Sequence, residues 1–258
     1  MKKLLLIALT GLLTIGATAP ALALGPLDIE AELPVYTKYV WRGMNLVNDA
    51  VLQPSLGINV FGFHAAAWSN MYLTDIANES GQFGEFDYTL GYTLGLAIVE
   101  FGAGFIHYSY PKHHFDDTTE FYLSGKVNVI LSPSLAVYQD IDKFKGAYWA
   151  ASIEHGFGLG ETMELDLTAG LGLGSAGFIS GYFGEMLSIP QTDLDASMTD
   201  FYVRAEVPFH PIPFLSITPS VAYSSLLGDA KKALDGDDLL YFGKKENVVW
   251  GLAAGFSF

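Results

Sequence analysis

Residues 247–258 read NVVWGLAAGFSF, and this stretch decides the fold class. One parity of the stretch is continuously apolar, whereas the other carries only Gly, Ser, Asn and small aliphatic residues. The apolar parity consists of Val248, Trp250, Leu252, Ala254, Phe256 and Phe258. Alternate side chains of a β-strand point to opposite faces, and aromatic residues near both ends of the apolar face are typical of a strand that crosses a bilayer. The stretch therefore predicts a membrane-spanning strand, although an edge strand of a soluble β-sandwich has the same alternation.

The other end of the chain predicts export. Met1-Lys2-Lys3 is a short basic region, residues 4–15 are an apolar run too short to span a membrane, and Ala21-Leu22-Ala23 has the small residues that precede a cleavage site. We expect a cleaved signal peptide at residues 1–23 and a single outer-membrane β-barrel domain at residues 24–258.

Composition narrows the class further. Half of the residues are hydrophobic, with 14 Tyr, 18 Phe and 28 Gly, and the mean hydropathy is +0.30. After the signal peptide no apolar run is long enough for a transmembrane helix, so this hydrophobicity suits strands whose outer face meets lipid. The chain has no Cys, which excludes disulfides and thiol chemistry. A formal net charge of −15 argues against nucleic acid as a partner.

Alternating segments recur along the whole chain. Residues 163–173 are the cleanest case, because Met163, Leu165, Leu167, Ala169 and Leu171 oppose Glu164, Asp166 and Thr168. About twelve such segments follow one another, and an even number of strands is what a single-chain bacterial barrel needs. The sequence therefore predicts an all-β fold, a transmembrane up-and-down antiparallel β-barrel of about twelve strands.

The connections between the segments alternate in length. Short connections fall at Phe61-Gly62, Val99, Ser132-Pro133, 158–161 and 210–213, and most of the others are longer, at 45–50, 74–84, 111–117, 175–200 and 225–244. Short periplasmic turns and longer external loops are the arrangement of outer-membrane barrels. Both chain ends then lie in the periplasm, with Trp41, Trp149 and Trp250 near the external strand ends and Phe61, Phe157, Phe209, Phe214 and Phe258 near the other ends.

The parity opposite the lipid face is rich in charge. We expect its charged residues to line a lumen that side chains only partly fill, with acids in excess over bases, so that the interior favours cations. The predicted pore-lining residues are Glu32, Lys38, Arg42, Glu85, Asp87, Glu120, Lys126, Glu164, Asp166, Arg204 and Glu206. Glu100, Asp140 and Glu154 share the same parity.

The first half of the mature chain resembles a known family. The motifs are Tyr39-Val40-Trp41-Arg42-Gly43, Gln53-Pro54, Gly62 followed by Trp68-Ser69-Asn70, residues 85–88, Gly91-Tyr92, Tyr108-Ser109-Tyr110-Pro111 and Glu120-Phe121-Tyr122. In this order and spacing they resemble the TorF-type family of proteobacterial outer-membrane porins. His64 stands where that family has an aromatic residue, and nothing after residue 141 is specific to it. The resemblance implies an outer-membrane channel and supplies no catalytic residues.

Few residues suggest other chemistry. His107 and Ser109 share one strand face, as the base and nucleophile of a lipid-modifying enzyme of the outer membrane would. An interfacial His beside a strand Ser has the same pattern. His113-His114 with Asp116-Asp117, and Asp235 with Asp237 and Asp238, are better explained as solvated acidic loops than as metal sites. We expect no catalytic residue, no metal site and no cofactor.

Three functions remain open at this point. The first is a porin-like channel for passive diffusion of small hydrophilic solutes or ions, with a preference for cations. The second is the lipid-modifying enzyme built on His107 and Ser109, and the third is a plugged structural or receptor barrel. The expected partners are outer-membrane lipids and lipopolysaccharide, small solutes or cations, and the barrel assembly machinery, which would recognise Phe258 at the end of the closing strand.

The alternating connections predict which segments a protease reaches. A protease added to intact cells should cut within 175–200 or 225–244 and spare the turn at Phe61-Gly62, since the short turns face the periplasm. Cleavage at that turn with both long loops protected would invert the topology.

Overall fold

The computed structural model describes residues 27–75, 79–111, 116–185, 194–234 and 244–258, so the predicted signal peptide lies outside the described residues. In chain order the strands are β1 (Leu27–Tyr36), β2 (Tyr39–Trp41), β3 (Met44–Val47), β4 (Val51–Leu52), β5 (Ser55–Val60), β6 (Phe63–Tyr72), β7 (Phe83–Leu96), β8 (Val99–Ser109), β9 (Thr118–Val127), β10 (Ser134–Asp140), β11 (Ala147–Gly158), β12 (Glu164–Gly174), β13 (Ser197–Glu206), β14 (Phe209–Ile212), β15 (Leu215–Leu226) and β16 (Glu246–Ser257). The helical segments are α1 (Ala176–Phe178), which continues as a π-helix (Ile179–Glu185), and α2 (Gly228–Ala233).

The strands form a closed antiparallel barrel. Neighbours in sequence pair around the wall, β13 pairs with β15, and β16 returns to pair with β1. In the closing pair, Glu30 lies opposite Ser257 and Tyr36 lies opposite Gly251. Both β4 and β5 pair with β1 on one side and β6 on the other, so they act as one strand interrupted at Gln53-Pro54. The wall therefore has twelve strands, which confirms the predicted fold class and the closing role of residues 247–258.

An apolar belt surrounds the barrel. Its side chains point outward at every second position of the wall strands, which is the parity that the sequence assigns to lipid. Exposed members include Leu33, Val35, Leu56, Ile58, Leu90, Leu94, Phe101, Phe105, Leu123, Leu135, Ile153, Leu167, Leu171, Val203, Val248, Trp250 and Leu252. A soluble protein would bury such a surface, whereas a closed barrel with an apolar outside is suited to a bilayer, because every wall strand has its backbone paired on both edges. Among the described residues, no helix is long and apolar enough to cross a bilayer.

The two rims of the barrel differ in how many of the predicted aromatic residues they expose. Phe61, Phe157, Phe209 and Phe258 are exposed at the end with short turns, and the rings of Phe214 and Phe258 stack there with centroids 6.0 Å apart. Trp250 is 61% exposed at the opposite rim, as predicted, but Trp41 is 5% exposed and lies inside the barrel. The prediction for Trp41 is therefore wrong, because the chain leaves the wall before it reaches this residue.

The connections alternate in length as the sequence predicts. At one end, the short-turn end, they are 61–62, 97–98, 128–133, 159–163 and 207–214, and at the other, the long-loop end, they include 37–50, 175–196 and 227–245. The alternating segment predicted to run from residue 32 to residue 43 leaves the wall after Tyr36, where β1 ends. Residues 39–47 instead form a separate hairpin of β2 and β3.

The register of β12 supports a matched pair of substitutions. Leu167 is 41% exposed on the belt, and its neighbour Thr168 is 9% exposed and faces the interior opposite Arg204 and Glu154. Leu167→Arg should cost about 2–4 kcal/mol of folding free energy near the bilayer midplane, and Thr168→Arg should cost less because residue 168 faces the polar interior and not lipid. Urea-dependent refolding into detergent or lipid measures both values. Equal costs would contradict the register, since a slip of one residue exchanges the two faces.

Candidate functional site

The hairpin formed by residues 39–47, here called the inward hairpin, folds into the barrel at the long-loop end. Tyr39, Val40, Trp41 and Met44 are each no more than 5% exposed. Its turn is Arg42-Gly43, with φ angles of 46° and 79°, the left-handed pair of a type I′ turn. Gly takes this conformation freely, but Arg42 takes it under strain. The turn places Arg42 at the tip of the hairpin, where the contacts of its side chain have to offset this strain.

Arg42 makes a buried ion pair with Glu120 on β9. Its Nη1 and Nη2 donate to Oε1 and Oε2 of Glu120, each over 2.7 Å, and the two side chains are 1% and 0% exposed. Two parallel charge-assisted hydrogen bonds are the strongest geometry available to this pair of residues. The pair therefore joins the tip of the inward hairpin to the barrel wall.

Aromatic rings enclose the guanidinium of Arg42. Its Cζ lies 4.3 Å from the ring centre of Trp41, 4.5 Å from Tyr148, 4.6 Å from Tyr138 and 5.5 Å from Phe178, all within the range of a cation–π interaction. Burial has the largest single effect on the pKa of Arg42 and lowers it, but the charge and hydrogen bonds of Glu120 together with Tyr108 and Tyr182 raise this pKa well above its ordinary value. Arg42 is thus a permanent positive charge in an aromatic enclosure.

Glu120 also accepts hydrogen bonds from two tyrosines. The Tyr108 hydroxyl donates to its Oε2 over 2.8 Å, and the Tyr182 hydroxyl lies 3.3 Å from its Oε1. Tyr182 also donates to Asp140 over 2.9 Å, and Asp140 accepts from Thr118 over 2.7 Å. Because Asp140 further accepts from three backbone N–H groups of residues 142–145, its role is to order that loop.

Three further contacts fix the inward hairpin. Asn45 Nδ2 donates to Asn247 Oδ1 on β16 over 2.8 Å. The Tyr39 hydroxyl hydrogen-bonds to Glu85 on β7, and burial followed by the charges of Glu85 and Asp87 raises the pKa of Tyr39. Gly43 packs so closely on Asp200 that an added Cβ would overlap it. The hairpin is therefore held by side chains from opposite parts of the wall.

A second segment folds inward from another long loop. Phe178, Ile179, Tyr182 and Phe183 of α1 and the π-helix are at most 1% exposed. Ser175 caps α1 by accepting from the Phe178 N–H over 3.1 Å. The rings of Phe178 and Tyr182 pack against Trp41 with centroids 6.2 and 5.0 Å apart. Together with the inward hairpin, this segment places packed side chains in the long-loop half of the interior.

The short-turn half of the interior is polar and acidic. Lys126 lies 3.4 Å from Glu154, and Arg204 lies 3.5 Å from Glu206. These two cations share this half with a larger set of carboxylates on the inward parity: Asp28, Glu30, Glu32, Glu100, Glu154, Glu164, Asp166 and Glu206. Acids therefore exceed bases in this half, as predicted for the interior as a whole.

Glycines let inward tyrosine rings lie flat against the wall. A Cβ added at Gly170 would overlap the ring of Tyr202 on the neighbouring strand, and one at Gly104 would overlap Tyr122. Tyr36 covers Gly251 in the same way. Gly in a strand often marks such a close approach. The rings consequently cover backbone instead of projecting into the lumen.

The predicted pore-lining residues all lie on the inner side of the barrel or in the hairpin region. Arg42, Glu85, Asp87, Glu120, Lys126, Arg204 and Glu206 are buried, and Glu32, Lys38, Glu164 and Asp166 are half-buried. Lys38 and Arg42 belong to the connection after β1 and not to a wall strand. The sequence reasoning missed the whole enclosure of Arg42, namely Tyr138, Tyr148, Phe178 and Tyr182. The Arg42-Gly43 pair directly after Trp41 was the available signal for a turn.

The residues suggested for other chemistry are dispersed. His107 Nδ1 lies 3.0 Å from Thr119 Oγ1, and Ser109 donates to Asp117 over 3.1 Å, so each has a different partner. Asp116 pairs with Lys143. The predicted loop residues His113, His114, Asp235, Asp237 and Asp238 lie outside the described residues. Within the described part of the chain, no group of three or more His, Asp or Glu side chains is placed to hold a metal ion.

The closed wall and the apolar belt define an outer-membrane β-barrel. The chain belongs to a bacterial family described as "Bacterial protein of unknown function (Gcw_chp)", which matches residues 20–179. This family does not carry the TorF name that the motifs suggest. A search of curated proteins finds no match.

Solved structures of similar shape are outer-membrane proteins. A KdgM porin in complex with disordered oligogalacturonate matches with a TM-score of 0.51 at 10% identity, covering 90% of this chain and 99% of that chain. A NanC porin matches with a TM-score of 0.47 at 10% identity over 89% and 98% of the two chains. An outer-membrane channel from Pseudomonas putida F1 matches with a TM-score of 0.49 at 13% identity over 92% and 97%. At such identities the KdgM match shows a shared fold alone.

The Arg42–Glu120 pair can be tested by a double-mutant cycle. Arg42→Met and Glu120→Gln should each cost up to about 3–5 kcal/mol, because each leaves a buried group without its partner, whereas the double variant should cost much less than their sum. Urea denaturation of the refolded barrel measures the three values. The control is Lys126→Met with Glu154→Gln, a partly exposed pair for which coupling of about 1 kcal/mol or less is expected. Additive losses at Arg42 and Glu120 would show that the pair does not hold the hairpin.

Proposed function

We propose that the protein is an outer-membrane channel for passive diffusion of small hydrophilic solutes or ions, that it prefers cations, and that the inward hairpin narrows its long-loop half. The observation that carries this proposal is the excess of carboxylates on the inner face of a lipid-embedded barrel. The motifs that resemble TorF-type porins support the same class of function.

Charge on the inner wall favours cations for a general physical reason. Rings of carboxylates select cations in pores, and the low-dielectric wall focuses their potential into the lumen. Lys126 lies near Glu154 and Arg204 lies near Glu206, whereas Glu100 and Glu164 add further carboxylates to the same half. The remaining charge has to be balanced by mobile cations, which is the condition for cation selectivity.

A plugged structural or receptor barrel is the second candidate. It is favoured by one observation, that the inward hairpin and residues 176–185 place buried aromatic side chains across the long-loop half. In that case the acidic short-turn half is a cavity that is closed at the long-loop end and does not conduct. The lipid-modifying alternative has no such support, because His107 and Ser109 bond to different partners.

The proposed partners follow from the surface of the barrel. The apolar belt suits outer-membrane lipids, and exposed carboxylates at the long-loop end suit the divalent ions that bridge lipopolysaccharide. Phe258 is exposed beside the closing seam, where its backbone N–H donates to Ile29 over 2.9 Å. This position suits recognition of the last strand by the barrel assembly machinery.

Cation preference predicts the sign of a reversal potential. In a planar bilayer under a salt gradient, the purified protein should pass cations in preference to anions. Asp166→Asn should weaken this preference, because Asp166 faces Glu206 across β12 and β13. Asp142→Asn, which removes an equal charge from an exposed loop, is the control and should change little. Selectivity should fade at high salt, since the Debye length is only about 10 Å at about 0.1 M.

The outcomes separate the two candidate functions. Anion preference at low salt would contradict the proposed selectivity. Absence of any conductance, in the native protein and in variants that release the hairpin, would favour the plugged barrel.

A further inference from the structure

Most of the groups that enclose Arg42 belong to the barrel wall. Tyr108, Glu120, Tyr138 and Tyr148 come from the neighbouring strands β8, β9, β10 and β11. Their carboxylate and rings surround a planar cation from several sides. The wall therefore supplies the carboxylate and two of the four rings of a guanidinium site. The guanidinium in this site belongs to a loop.

The inward hairpin is attached to the wall in a way that permits it to leave. Its two strands pair with each other in a sheet separate from the barrel. In the described part of the chain, the backbone bonds that tie residues 37–50 to the wall lie at its two ends, where Thr37 N–H donates to Trp250 O over 2.9 Å and Ala50 O accepts from Leu73 over 3.1 Å. The hairpin can thus move as a unit about these ends without leaving backbone groups unpaired, and only side-chain contacts have to break.

The buried carboxylate that pairs with Arg42 needs a cation even when the hairpin is displaced. Glu85 and Asp87 on β7 and Glu120 on β9 are buried in the long-loop half. Among the described residues of that half, Arg42 is the one buried cation. Asp87 is 4% exposed, and its Oδ1 has no hydrogen-bond partner. Departure of Arg42 would leave the buried Glu120 carboxylate, which is 0% exposed, without its cation, and this is costly unless another cation replaces Arg42.

We propose that the wall around Glu120 is a binding site for guanidinium-type cations, that Arg42 occupies it as an internal ligand, and that a solute of this class displaces the inward hairpin when it binds. This inference rests on the proposed channel function, because the solute reaches the site through the lumen. A planar fork matches the two oxygens of Glu120 and the flanking rings better than an ammonium group does. Since the internal ligand is tethered and has a high effective concentration, displacement requires solute in the millimolar range.

Exposure of a buried hairpin residue reports displacement. Val47→Cys places a thiol at a buried position in a chain that otherwise has no Cys. Methylguanidinium should raise the rate at which a membrane-impermeant maleimide labels this thiol several-fold. Methylurea, a neutral analogue of the same shape, should leave the rate unchanged, and methylammonium should act more weakly. Asn48→Cys, at the exposed end of the same hairpin, is the control and should be labelled equally fast in all conditions.

Direct binding tests the wall site itself. Arg42→Ala, checked for a folded barrel by heat-modifiable gel migration, should bind methylguanidinium in titration calorimetry, and Arg42→Ala with Glu120→Gln should not. If Arg42→Ala does not fold, the labelling experiment on the otherwise native chain decides alone. Binding in the emptied cavity without accelerated labelling of Val47→Cys would overturn displacement. An equal effect of methylguanidinium and methylurea would overturn the guanidinium site.

Conductance separates this inference from the function on which it rests. A cation-selective channel that is indifferent to methylguanidinium would refute the inference and leave the channel intact. Accelerated labelling of Val47→Cys in a protein that never conducts would refute the channel and leave the wall site intact.

Discussion

Every strand of a membrane barrel has to pair its backbone on both edges. In this protein the pairing of β1 with β16 closes the barrel, so that the first and last strands also have a partner on each edge. In the closed wall, alternate side chains of every strand face lipid and have to be apolar. Polar side chains of the wall strands therefore face the interior. This explains why residues as distant in sequence as Glu32 and Asp166 face the same enclosed space. Closure therefore determines the apolar belt and also concentrates carboxylates inside, where they need compensation.

The carboxylates in the two halves of the interior are neutralised in different ways. In the short-turn half, Lys126 and Arg204 project from wall strands, so their charges stay in place as long as the barrel is folded. In the long-loop half, the compensating charge comes from Arg42 at the tip of a hairpin that pairs only with itself. The rings of Trp41, Tyr138 and Tyr148 replace water around this charge. The buried carboxylate charge of the long-loop half is therefore neutralised only while the hairpin is docked.

The features that depend on a period of two could be predicted from the sequence, and those that depend on the path of a loop could not. The strand number, the belt and the alternation of connections follow from parity and turn residues alone. The departure of the chain at Tyr36 was missed because Tyr39 and Trp41 continue the parity of Leu33 and Val35. The charges of Arg42 and Glu120 were assigned to the interior, but their pairing joins residues 78 positions apart. That distance is bridged by a loop entering the lumen, which local pattern does not encode.

Because the described backbone hydrogen bonds between this loop and the wall lie at residues 37 and 50, the docking free energy of the hairpin comes from side chains. The strain at Arg42, where φ is 46°, reduces it. Elements of this kind open at a lower cost than the fold around them. In the proposed channel, cations that enter the lumen would weaken the attraction between Glu120 and Arg42, and an undocked hairpin would leave Glu120 free to bind them. By linkage, each effect has to have the same magnitude as the other. In such a channel, the position of the hairpin and the cation occupancy of the lumen would be linked in one equilibrium, set by how strongly Glu120 prefers Arg42 over free cations.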